Sequence, residues 1–193
     1  ALSTLTRRHS RMTQALVIVD IQNDYFPGGA MPLEGSPEAA AKAAKLLAAF
    51  RAKGLPVVHV QHLSTRPGAT FFLPDTKGAE INEAVAPQAG EKRVVKHTPS
   101  SFRGTDLQEH LKSVGADQLV IAGMMTHMCI DSTVRAAFDL GYACTLAHDA
   151  CATRALVLNG KTIPAAQVHE SFLAGINGLF ARLATSDEIA AGL

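Results

Sequence analysis

Ala15-Leu16-Val17-Ile18-Val19-Asp20 is five consecutive apolar residues, three of them β-branched, closed by one carboxylate. A run this short and this continuously apolar predicts a strand covered on both faces, as in the middle of a parallel sheet. Further runs of the same kind follow at Pro56–His62, Arg93–Lys96, Gln118–Ala122, Tyr142–His148 and Leu179–Ala184. Between them lie helical stretches. Ser36-Pro37-Glu38 supplies an N-cap and a proline at N1 for a helix stopped by Gly54, and Thr105-Asp106-Leu107-Gln108 reads as a capping box for a helix ending at Gly115. Thr126 caps a helix through Leu140, and Pro164 starts the last one. Six strands alternating with helices predict a doubly wound α/β domain with a six-stranded parallel sheet in the order 3-2-1-4-5-6.

In that order the first and fourth strands are neighbours at the switch point, where ligands bind beyond the carboxyl ends of the strands. Asp20 ends the first strand and has no local structural reason to follow it, although aspartates there also form turns. Lys96 closes the Val94-Val95 strand on the same edge. Cys129 falls at the third position of the helix after the fourth strand, where free N–H groups and the helix dipole favour a thiolate. A buried cysteine is also an ordinary small apolar residue. Three such residues converging on one edge supply a nucleophile, a proton acceptor and a cation. The polar stretch from Leu63 to Lys92 is long for a plain connection and is expected to cover this edge, with Phe71 and Phe72 lining it.

The 193 residues are 47% hydrophobic and 18% charged, enough for one globular domain over 15–193. Residues 1–14 carry Arg7, Arg8, Arg11 and no acid, and are expected to be a disordered tail. With 18 basic and 17 acidic residues interspersed, the net charge is +1, which points away from nucleic acid and anionic membranes and towards a small molecule. Three cysteines, Cys129, Cys144 and Cys151, are too few and too odd for a disulfide framework. With no apolar run long enough to span a bilayer, the expected location is the cytoplasm. Ala155–Thr162 resembles a phosphate loop only loosely, because its leading glycine is replaced by alanine and its middle positions are bulky.

Val19-Asp20-Ile21-Gln22-Asn23-Asp24-Tyr25-Phe26, Lys96, and Gly123-Met124-Met125-Thr126-His127-Met128-Cys129 with the following Ser132–Ala137 resemble the isochorismatase-like hydrolases. That superfamily includes nicotinamidases, carbamoylsarcosine amidohydrolases and streptothricin hydrolase. The resemblance implies cleavage of a small amide through a thioester on Cys129, with Asp20 as base and Lys96 supporting the thiolate. It also implies an oxyanion hole from the N–H groups of Met125 and Cys129, with a cis peptide at Met124-Met125. Tyr25 takes the place of an aromatic that flanks the substrate; Phe26, Phe71, Phe72, Met124 and Met128 complete the candidate substrate-binding set. Dimers or tetramers are the family's usual assemblies. Metal-dependent nicotinamidases carry Asp-x-His after the second strand, and this chain reads His59-Val60-Gln61-His62, so no metal and no cofactor are expected. His59 and His62 face opposite sides of a strand and are read as core or rim residues. The alternatives are vinyl-ether or ester hydrolysis at the same site, or a silent ligand-binding protein of this fold.

Overall fold

The computed structural model describes residues 13–193; most of the expected tail, residues 1–12, lies outside them. Strand β1 (Thr13–Val19) starts two residues earlier than the apolar run, because Thr13 and Gln14 already pair with Ala116 and Gln118. The other elements are α1 (Ser36–Ala52), β2 (Val57–His62), β3 (Lys92–Lys96), α2 (Leu107–Ser113), β4 (Ala116–Met124), α3 (Asp131–Asp139) and β5 (Ala143–Ala152). They are followed by β6 (Leu156–Leu158), β7 (Lys161–Ile163), α4 (Ala165–Ile176), β8 (Arg182–Ala184) and α5 (Ser186–Ala191). Six of the strands form a parallel sheet in the order β3-β2-β1-β4-β5-β8. This is the expected order, with β8 in the sixth place.

Alternation along β1 explains the two cores. Leu16 and Ile18 pack with Ala43, Leu46, Leu47 and Phe50 of α1 and with Ile189 of α5. Ala15, Val17 and Val19 face the other way, onto Leu107 and Leu111 of α2, Val134 of α3 and Leu173 of α4. A strand with no wet face must be apolar at every position, which is why the run is unbroken until Asp20.

Several boundaries differ from the sequence-based expectation for local reasons. Gly35, in the left-handed region, caps α1, while the Ser36 hydroxyl turns back to donate to the Leu33 carbonyl. The Thr105 hydroxyl accepts from Leu107 N–H at 3.3 Å and donates to the Ser101 carbonyl, so no reciprocal box forms. The stretch resembling a phosphate loop is the β6–β7 hairpin. Asn159 (φ 51°) and Gly160 (φ 75°) both adopt the left-handed conformation that a tight two-residue turn requires. Pro164 does precede a helix, but α5 follows it after β8. Among the described residues no helix is long and apolar enough to cross a membrane.

Leu46 is fully buried between α1 and the sheet. Leu46→Ala should destabilise the fold by about 2–5 kcal/mol, the usual cost of such a truncation. Urea unfolding with an unchanged slope would measure it, and a loss below about 1 kcal/mol would contradict the packing described.

Candidate active site

Because β1, β2 and β3 are parallel, their last residues emerge on one edge of the sheet. Asp20 follows β1, His62 ends β2, and Lys96 ends β3 directly beside it in register. Asp20 itself turns out of the strand with φ 53°, a conformation that aspartate tolerates better than most residues. On its other side, β1 pairs with β4, whose Gly123 has φ 137°; a Cβ there would strike the Val19 carbonyl, so the chain passes only as glycine. The Met124-Met125 peptide that follows is cis, as the resemblance implied.

Residues Thr126–Ile130 then form a single π-helical turn leading into α3. Met125, rather than Thr126, is its capping residue, which moves Cys129 to the fourth position instead of the third. The Thr126 hydroxyl is engaged elsewhere, 2.7 Å from Nδ1 of His169. Cys129 is buried, and its Sγ lies 3.2 Å from Nζ of Lys96.

Lys96 is completely buried, so its ammonium must be satisfied by protein. Nζ stands 2.9 Å from Oδ2 of Asp20, donates to the Thr98 carbonyl at 3.0 Å, and lies 2.8 Å from Nδ1 of His62. The Asp20 contact is an ion pair without good hydrogen-bond geometry; neither carboxylate oxygen has a hydrogen-bond partner among the described residues. The carboxylate thus keeps open lone pairs beside the thiol.

Burial raises the pKa of Asp20 above the usual aspartate value, although Lys96 and Cys129 pull the other way. Burial opposes the charge on Lys96, but Asp20 and Cys129 outweigh it and hold the ammonium charged. For Cys129, burial and then Asp20 push the thiol well up, with Lys96 only partly compensating. Contrary to the expectation from helix position, burial and the neighbouring carboxylate disfavour the thiolate, and burial makes that carboxylate more basic than an ordinary aspartate. Oxygen, nitrogen and sulfur atoms of Asp20, His62 and Cys129 lie within 4.8 Å of one another, a grouping that resembles a metal site. Its cation is already present: the Lys96 ammonium touches all three residues, so this donor set does not fit a resident metal.

A cavity of about 130 Å³ opens above Cys129, lined by Tyr25, Phe71, Phe72, Met125 and Met128, with His62, Arg66 and His97 among its polar walls. Sites for drug-sized ligands are larger, roughly 300–1,000 Å³, so the occupant is small. Tyr25 and Phe72 pack with ring centroids 4.5 Å apart, and Phe71 and Phe72 at 5.0 Å. Two candidate residues are not in the lining: Met124 is fully buried in the core, and Phe26 packs against that core from the side.

The covering loop is held down by side chains just after β1. Gln22 accepts from His62 N–H and donates to the carbonyls of His62 and Ala79, each at 2.8 Å. Asp24 accepts from Phe72 N–H at 2.7 Å, fixing Phe72 in a left-handed conformation with φ 54°. Gly78 passes so close to the Asp24 carboxylate that a Cβ would overlap it. Sequence reasoning missed these clamps, and it also missed His62 as a site residue. The strand-end argument that singled out Asp20 and Lys96 applies equally to His62.

The isochorismatase domain family matches residues 14–188. The chain belongs to the isochorismatase family. It is 50% identical over 176 residues to the uncharacterized isochorismatase family protein YddQ of Bacillus subtilis, covering 91% of this chain and 98% of that one. A crystal structure from Oleispira antarctica, assigned to the isochorismatase hydrolases, shares 52% identity and superposes with a TM-score of 0.91 over 95% of this chain and 98% of its own. The N-carbamoylsarcosine amidase structure from Thermoplasma acidophilum is 26% identical, with a TM-score of 0.77 over 91% of this chain and 98% of its own. This isochorismatase-family hydrolase therefore has amidases among its relatives.

Asp20→Asn removes the anion that raises the thiol pKa but leaves the Lys96 cation. Alkylation of Cys129 by iodoacetamide, followed by mass spectrometry, should then shift to lower pH and become faster at a given pH. Cys144 and Cys151, buried and pushed up to about 12, should stay unlabelled. A profile that stays put would show that Asp20 is not coupled to the thiol, and one that moves to higher pH would show that Asp20 favours the thiolate instead of opposing it.

Proposed function

We propose that this protein is a cysteine amidohydrolase that cleaves the C–N bond of a small amide through a thioester on Cys129. The observation that carries the reading is the buried contact of one thiol, one basic carboxylate and one ammonium at the foot of a small, aromatic-walled cavity. Kinship with an amidase supports the choice of an amide.

In the proposed cycle Asp20 takes the proton of Cys129 as Sγ attacks the amide carbon. The C–N bond breaks as Asp20 returns that proton to nitrogen, so ammonia or an amine leaves. Water, deprotonated by Asp20, then attacks the thioester, and the thiol departs with the proton. Lys96 lowers the cost of negative charge on sulfur during both steps. The N–H groups of Met125 and Cys129 are assigned to the developing oxyanion, where each preorganised donor contributes roughly 3–4 kcal/mol. The raised pKa of Asp20 suits this role, since a stronger base takes a thiol proton more readily.

A panel of small primary carboxamides, with ammonia release and intact-mass detection of an acyl adduct on Cys129, tests the reading. Cys129→Ala should abolish both signals without unfolding the protein, and Asp20→Asn should lower turnover by at least about 100-fold. Turnover of vinyl ethers or esters, with no amine released from any carboxamide, would overturn it.

The pH profile supplies an independent check. Asp20 must be ionised to act, and its pKa is raised above 3.8. Activity should therefore be present at neutral pH and fall, as pH drops, at a higher pH than an ordinary aspartate would give. An acid limb at or below about 4 would contradict Asp20 as the base.

A further inference from the structure

Lys96 does more than support the thiol, because it dictates the tautomer of His62. An ammonium can only donate, so Nδ1 of His62, 2.8 Å away, must accept, and the neutral ring carries its proton on Nε2. Burial and the adjacent Lys96 cation push the ring pKa down to about 4, which keeps it neutral under ordinary conditions. Nε2 has no hydrogen-bond partner among the described residues and is not shut away from solvent. His62 lines the cavity, and one of its ring nitrogens lies within 4.8 Å of Cys129 Sγ. With Nδ1 committed to Lys96, the Nε2–H is the ring's one uncommitted donor, on a residue of the cavity wall.

Arg66 lines the same cavity and makes no ion pair among the described residues. Its charge reaches the site, since it is one of the groups that disfavour protonation of His62. None of the residues lining the cavity carries a carboxylate, and the Asp20 carboxylate beside Cys129 is fully buried and paired with the Lys96 ammonium. His97 lies at the same wall, but its Nδ1 is 2.9 Å from the Leu63 carbonyl and is committed there.

We propose that His62 contacts the substrate, donating from Nε2 to an acceptor oxygen close to the scissile carbonyl, and that His62 and Arg66 together select amides bearing a carboxylate. This rests on the amidohydrolase reading for its substrate, but the recognition itself concerns any small anion brought to Cys129. Such a pair of donors matches the two oxygens of a carboxylate, one donor neutral and set by Lys96, the other charged. Positive walls also raise the local concentration of anions, an effect that salt weakens.

Two matched probes separate this from the amidase reading. The first pair is iodoacetate and iodoacetamide, which alkylate Cys129 without any amide hydrolysis. Their rate ratio on the protein, divided by the ratio on glutathione, should favour iodoacetate by about tenfold or more, in line with a charge-assisted hydrogen bond. The preference should shrink to near parity in His62→Leu and in Arg66→Met, and should fall with rising salt. His62→Gln, which restores an N–H donor, should recover part of it and guards against a simple folding defect in His62→Leu. The second pair is succinamate and butanamide, where the same preference should appear in kcat/KM, mainly through KM.

If iodoacetate shows no preference, or if the preference survives in His62→Leu, the inference is overturned. If iodoacetate is preferred in the expected manner and neither amide is hydrolysed, the amidohydrolase reading fails on these substrates and the anion-recognition inference stands.

Discussion

A fully buried ammonium organises this protein's carboxyl edge. Removing a charge from water costs several kcal/mol unless the surroundings replace the lost hydration, so Lys96 obliges its neighbours to be an anion, a carbonyl, a neutral acceptor and a polarisable sulfur. Asp20, the Thr98 carbonyl, Nδ1 of His62 and Sγ of Cys129 meet that demand in turn. The cation fixes the imidazole tautomer, and it tempers the carboxylate and the thiol, both of which burial makes harder to ionise. The strands deliver these groups to one place because parallel pairing puts every carboxyl end on the same side.

The segment after β1 has a double role. Its first residue is the carboxylate beside Lys96, and its next polar residues, Gln22, Asn23 and Asp24, hold the covering loop through contacts at His62, Ala79, Lys77 and Phe72. Positioning of the acid and construction of the aromatic wall are therefore encoded within five consecutive residues. The loop's lack of long regular elements does not make it loose, since its turns are tied at specific carbonyl and N–H groups.

Much of this was legible in the sequence because it depends on local pattern. Unbroken apolar runs identified the strands, and polar residues closing such runs identified Asp20 and Lys96. Cys129 was legible from its motif, but its electrostatic state was not. Helix position argues for a thiolate, whereas burial and the carboxylate of Asp20, remote in sequence but within 4.8 Å in space, disfavour it. The spacing of His62 from His59 tests metal sharing but says nothing about a neighbour on the next strand, where Lys96 lies in register. Asn159-Gly160 is a strong signal for the turn of the β6–β7 hairpin, but it is masked by the phosphate-loop pattern that overlaps it. The clamps of Gln22 and Asp24 join residues about forty to sixty positions apart, and no local pattern reports such pairs.

Strand β3, which carries Lys96, lies at the margin of the sheet, paired only with β2. Marginal strands are the places where native proteins open locally, at a lower free energy than global unfolding. A brief detachment of this one strand would withdraw the cation and leave Asp20 and Cys129 without it, while the two cores and most of the sheet stayed intact. Fraying of a five-residue segment is thereby enough to disable the site without unfolding the protein.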